Sequence, residues 1–240
     1  MCRFSRAGQR DMQWNVHVFT KDRRILRSVI LLSYFMKYER RTRPNNGTEL
    51  RMATIRTWTR QVPQVWDEIE STGRYLVKEE YVRAKNAEIS DYYIELYRWL
   101  TEMCRSKVDI PADAKFPIWL ALTEEQRLPA APGTISLTLD VPENVLFMLD
   151  YDRWGYRVNH WYVPRNAADE AAHNKELERF GIGNEAALIT GELGNFHPAL
   201  KRKIQSSWAR TVEAPNPRLD LNVGVIWEIL PEWVYEVEQY

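Results

Sequence analysis

The chain is short of the residues that usually announce a chemistry. Its two cysteines, Cys2 and Cys104, are too few and too far apart for a disulfide framework or a thiolate metal site. His160, His173 and His197 stand apart with no ligand spacing between them, so no metal centre is expected. Neither a Walker loop nor a Gly-x-Ser-x-Gly turn occurs, which removes the usual support for nucleotide-triphosphatase and serine-hydrolase readings. Long apolar runs are missing too. The best candidate, Ile25 to Met36, is broken by Arg27 and too short to cross a bilayer, so no membrane partner is expected. Nothing after it resembles a signal-peptide cleavage site, and the expected location is the cytoplasm. Gly181, Gly183 and Ala186 spell G-x-G-x-x-A but follow a helical run, where a dinucleotide loop would follow a strand; Gly181 reads as a helix C-cap.

Net charge is also missing overall, at +0, yet it is unevenly placed. Residues 1–51 carry 12 Lys and Arg against 4 Asp and Glu, whereas the rest of the chain is acidic by the same margin. The sequence therefore reads as two pieces, a basic N-terminal extension (1–51) and a single domain (52–240). Three accounts of the extension are open: translation beginning upstream of a native start at Met52, a basic arm touching nucleic-acid phosphates, or an ordinary extra helix over Ile25–Met36.

What the chain does have is aromatic side chains, ten of them Trp, and a strong strand pattern. In Thr134–Val141, Ile135, Leu137, Leu139 and Val141 alternate with polar residues, a period of two that predicts a strand with one buried face. Val145–Leu149 follows as an apolar run closed by Asp150. Tyr151, Trp154, Tyr156, Trp161 and Tyr162 then form an aromatic stretch, read as a loop that needs a large covering surface. Upstream, Thr54–Thr59 reads as a first strand, Pro63–Gly73 as a helix, Tyr75–Val77 as a short strand, and Ser90 as the N-cap of a helix whose stripe is Tyr93, Leu96, Tyr97, Leu100 and Cys104. Ile118–Leu122 reads as a strand. Asn166–Phe180 and Ala199–Val212 read as helices, Val223–Leu230 as the last strong strand, with Trp233–Val237 pairing beside it. The irregular order of strands and helices predicts an α+β domain, with a mixed or antiparallel central sheet and flanking helices.

Glu228 stands out because it interrupts a strand that is otherwise apolar on both faces. A buried carboxylate without a partner is costly, so it is expected either in an ion pair, with Arg56 as the candidate, or in a catalytic cleft.

Several residues together resemble domain-of-unknown-function family 3841, a bacterial family. They are Tyr97, Trp99 and Met103; Phe116-Pro117-Ile118-Trp119; Val141-Pro142; Asp150, Asp152 and Trp154; Val158-Asn159; Lys203-Ile204 and Ser207-Trp208; and Trp227-Glu228-Ile229. The resemblance covers Ile55–Tyr240. A weaker resemblance, in the order of elements, is to ADP-ribosyltransferase-like domains. It implies NAD as co-substrate, Glu228 stabilising the oxocarbenium-like transition state, Arg56 contacting NAD, and Tyr97, Trp119 or Tyr156 stacking on nicotinamide. The implied function is NAD-dependent ADP-ribosyl transfer to a macromolecule, or NAD hydrolysis. The alternative is a non-catalytic module that binds a partner protein or small ligand in an aromatic-lined cleft.

Overall fold

The computed structural model describes residues 53–240. The expectations for residues 1–51 and for a start at Met52 lie outside the described residues.

Two small sheets replace the one central sheet expected from the sequence. β1 (Thr54–Gln61), β3 (Ile135–Pro142) and β6 (Val234–Gln239) form an antiparallel sheet with β3 in the middle. β2 (Ile118–Leu120), β4 (Phe147–Asp150) and β5 (Asn222–Ile226) form another, with β5 in the middle. The sheets touch at one isolated antiparallel pair, Trp58 and Ala121, whose backbones exchange hydrogen bonds of 3.1 and 2.8 Å. With helices packed around them, the architecture is α+β.

The alternation in β3 survives, but both of its faces are covered. Ile135, Leu137, Leu139 and Val141 pack into the apolar core with Val65, Ile69, Leu120 and Ile226. Ser136 and Thr138, on the other face, are buried as well, at 4% and 3% exposure. Long side chains account for this: on the neighbouring strand Arg60 sits opposite Ser136 and Trp58 opposite Thr138, and Arg127, from the segment before β3, reaches across to Glu238 and Ser136.

Helix α1 (Pro63–Thr72) starts on its proline and ends at Gly73, whose left-handed backbone (φ 77°) lets its N–H close on the Ile69 carbonyl, as the sequence predicts. Helix α2 (Glu79–Asn86) is not anticipated in the sequence reading. Its apolar face is thin, with Val82 as its buried aliphatic residue, and charge pairs such as Glu79–Arg83 support it. A 3₁₀ turn then runs directly into α3 (Ser90–Cys104), so Ser90 is a buried first helical residue and makes no cap hydrogen bond. Tyr75–Val77 is reduced to one bridge between Tyr75 and Ile229.

The C-terminal half departs most from expectation. The aromatic stretch after β4 is a helix, α4 (Tyr151–Val158), with Asp150 as its N-cap accepting from the Arg153 N–H. Helix α5 (Ala167–Arg179) is capped by Asn166, and two single-turn helices, Ala187–Thr190 and Leu193–Phe196, lead into α6 (Pro198–Ser207). A 3₁₀ helix, Trp208–Val212, continues α6. The chain leaves β5 after Ile226, so Trp227 and Glu228 lie beyond the strand, and β6 pairs with β3 instead of lying beside β5. No helix among the described residues is long and apolar enough to cross a membrane.

Candidate functional site

The five residues singled out in the sequence do not assemble into one site. Arg56, in β1, is bound across the strand to Asp140 at 2.5 and 3.0 Å, with its guanidinium 3.7 Å from the Tyr235 ring centre. The expected Arg56–Glu228 pair is therefore not formed. Tyr156 donates to Glu170 at 3.0 Å and meets Trp161 edge-on. Tyr97 and Trp119 do meet, 5.9 Å between ring centres, and Trp119 continues to Trp154 at 5.2 Å. Burial raises the Tyr97 hydroxyl above its ordinary range, so it stays protonated in this cluster.

Glu228 has a different arginine. Arg74, just past the Gly73 cap, places Nε 3.6 Å from Glu228 and Nη2 3.1 Å from Asp113. The Glu228 side chain is 19% exposed. Partial burial raises its pKa above the usual carboxylate value; Arg74 works against this, while Asp113 and Glu232 add to it. Its neighbour Trp227 is buried, and the indole N–H donates to the Thr101 hydroxyl at 2.8 Å, tying the end of β5 to α3.

A group that the sequence reading passes over lies between α3, α4 and the 3₁₀ helix that follows α6. Arg157 is 7% exposed, and its guanidinium carbon lies 4.1 Å from the Trp208 ring centre and 4.7 Å from that of Trp99. Ring contacts of this kind stabilise a desolvated cation by roughly 2 kcal/mol. His160, at a left-handed backbone position (φ 57°), bridges Tyr92 and Trp208 with ring distances of 4.8 and 5.9 Å. The Tyr92 hydroxyl donates to the Val158 carbonyl at 2.5 Å, and the Trp208 indole donates to the Trp161 carbonyl at 3.0 Å. Burial lowers the basicity of Arg157, opposed by Tyr92 and Glu95. Burial, then the Arg157 charge, pulls the His160 imidazole down to about 4. At neutral pH the cluster thus holds one cation and a neutral imidazole.

The signal for this group was present as spacing. Trp154, Arg157 and Val158 recur three and four residues apart, the period of a helix face, and all three are buried. An arginine on the inward face of a helix was the anomaly to notice. His173, which looks isolated in the sequence, also has a buried partner: its Nε2 lies 2.9 Å from Glu185, both side chains 2% exposed. The other Glu185 oxygen accepts the Tyr162 N–H at 2.8 Å, and the Tyr162 ring stacks on the imidazole at 4.2 Å. This group ties α5 to the segments on either side of it. No cluster of three His, Cys, Asp or Glu suited to a metal ion occurs among the described residues.

No curated protein and no solved structure matches the chain. The weaker resemblance to ADP-ribosyltransferase-like domains is accordingly not supported. Many of the side chains just described, Tyr97, Trp99, Trp119, Trp154, Trp208 and Trp227 among them, lie within residues 56–235, the span matched by the family described as a domain of unknown function (DUF3841), and the chain belongs to that family.

Proposed function

We propose that the domain is a small-ligand-binding module whose recognition surface is the aromatic patch of Tyr92, Trp99, His160, Trp161 and Trp208. What supports this reading is that the rings of Tyr92, Trp99, His160 and Trp208 come from α3, the turn after α4 and the 3₁₀ helix, are each only half-buried, and gather around one cation, with Trp161 joined to them through its carbonyl, which accepts the Trp208 indole N–H. Rings whose sole task is core packing are buried on all sides, as Trp227 is at 2% exposure. Half-covered rings held in fixed positions offer π faces to a planar molecule at little entropic cost.

NAD is the first ligand to try, since it carries two planar bases. Its cleavage through Glu228 has less in its favour, because Glu228 lies off the strand and faces Arg74 with Asp113 and Glu232 near it.

The test is titration of the full chain, labelled with 5-fluorotryptophan, with NAD, adenosine and nicotinamide. Saturable shifts of the Trp99 and Trp208 fluorine resonances, assigned from Trp99→Phe and Trp208→Phe, are expected. If no tryptophan of the folded protein responds to any of the three, the binding reading fails. Release of nicotinamide during the same titration, lost in Glu228→Gln, would favour the transferase instead.

A further inference from the structure

We infer that Arg157, with His160 beside it, is the anchor for an oxyanion, a carboxylate or phosphate group carried by the planar ligand of the aromatic patch; the inference rests on the binding reading above.

The argument starts from the donors. Arg157 Nε and Nη1 are buried and have no hydrogen-bond partner, and neither does His160 Nδ1. The Trp99 and Trp208 rings answer the positive charge, but they offer the N–H groups no lone pair in the plane of the guanidinium. Among the described residues no carboxylate forms an ion pair with Arg157: the Tyr92 hydroxyl lies against the guanidinium and Glu95 acts on it from outside pairing distance, yet Nε and Nη1 stay without a partner. A buried donor left unanswered is costly, and more so when it is charged. The fold keeps this arginine in that state.

Other buried polar atoms without a partner are more easily explained. Arg74 Nε has Glu228 at 3.6 Å and Asp113 on the same guanidinium. His173 Nδ1 belongs to a ring already held by Glu185 and stacked on Tyr162. At Arg157 and His160 three such atoms fall within one group of touching side chains, and its formal charge is positive. A guanidinium fork matches the two oxygens of a carboxylate or phosphate, and one that is already desolvated and stacked loses little more on binding. Because Trp99 and Trp208 cover these donors, an anion that reaches them moves an indole, which couples occupancy to tryptophan emission.

The experiment is isothermal titration of the full chain with adenosine, AMP, inorganic phosphate and acetate, alongside the ¹⁵N resonance of the Arg157 Nε–H group, assigned from Arg157→Lys. AMP should bind about tenfold more tightly than adenosine, and the advantage should vanish in Arg157→Met. Saturation with the preferred oxyanion should move the Nε–H proton downfield in the wild-type protein, a readout taken without Arg157→Met. Phosphate acting where acetate does not assigns a phosphoryl ligand; the reverse assigns a carboxylate. Equal affinity for AMP and adenosine with an unmoved Nε–H would overturn the anchor and leave the aromatic patch standing. An Nε–H that responds to phosphate or acetate in a chain that binds no planar compound would keep the anchor and discard the patch. Silence in every arm rejects both.

Discussion

Glu228 and Arg157 are both charged groups held inside the fold, and the fold treats them differently. Glu228 sits where the chain bends out of β5, with Arg74 beside it and a fifth of its side chain still in water. Arg157 lies on a helix face that points inward, nine-tenths covered, and meets two indole rings in place of a carboxylate. A carboxylate with an arginine nearby and some solvent is an ordinary way to tolerate charge. A covered guanidinium with aromatic company and unanswered donors is not, because the missing acceptor has to come from elsewhere. The contrast separates a charge that the structure accommodates from one that it holds ready.

The largest expected effect tests whether the Glu228 region is structural. Trp227→Ala removes a fully buried indole and its bond to Thr101, and should destabilise the domain by about 3–5 kcal/mol in urea unfolding. A loss below about 1 kcal/mol would mean that the end of β5 is far looser than its burial implies.

Acid titration bears on the other region. The His160 pKa falls from an unfolded value of 6.5 to about 4 in the fold, so between those values the unfolded chain binds the extra proton. The contribution of His160 is complete above pH 6.5 and is lost as pH falls toward 4. With about 1.4 kcal/mol per unit, and a discount for partial solvent screening, the loss is roughly 2 kcal/mol. His160→Phe should flatten that part of the stability–pH curve, and an unchanged curve would place the imidazole in water.

Substitution of the two charges gives the direct comparison. Arg157→Met keeps much of the volume and removes the unanswered donors, so stability should hold or rise by about 1 kcal/mol while binding at the patch weakens. A drop of several kcal/mol would show that Arg157 has a partner and is a structural tie. Glu228→Gln should have the smallest effect. The raised pKa means that the fold disfavours the ionised form: stability linked to this group is present below its unfolded value and lost as pH rises through the folded one. Removing the charge should therefore leave stability at pH 7 equal or higher by under about 1 kcal/mol in thermal unfolding.

The sequence made β3, α1 and α5 legible because each carries a local signal: strict alternation, proline at a helix start, glycine or asparagine at a boundary. Helix α4 was hidden by its aromatic content, although Asp150 is an acceptable N-cap and Trp154 and Val158 stand four residues apart. The alternation around Glu228 looked like a strand because period two persists past Ile226, where the chain bends and only Ile229 rejoins Tyr75. Arg157 was passed over because arginine is usually solvated, and its burial depends on Trp99 and Trp208, residues 58 and 51 positions away in the chain. Pairings at that distance, like that of Arg56 with Asp140, leave no trace in local pattern.

The contact between Trp58 and Ala121 has a mechanical consequence. Each sheet is stitched internally by a ladder, yet the strands that bring the two sheets edge to edge share one exchanged pair of hydrogen bonds. Pairs at such a seam open more readily than those inside a ladder. In amide exchange the Trp58 and Ala121 protons should lose protection before those of β3, while the apolar core that the two sheets share keeps them together.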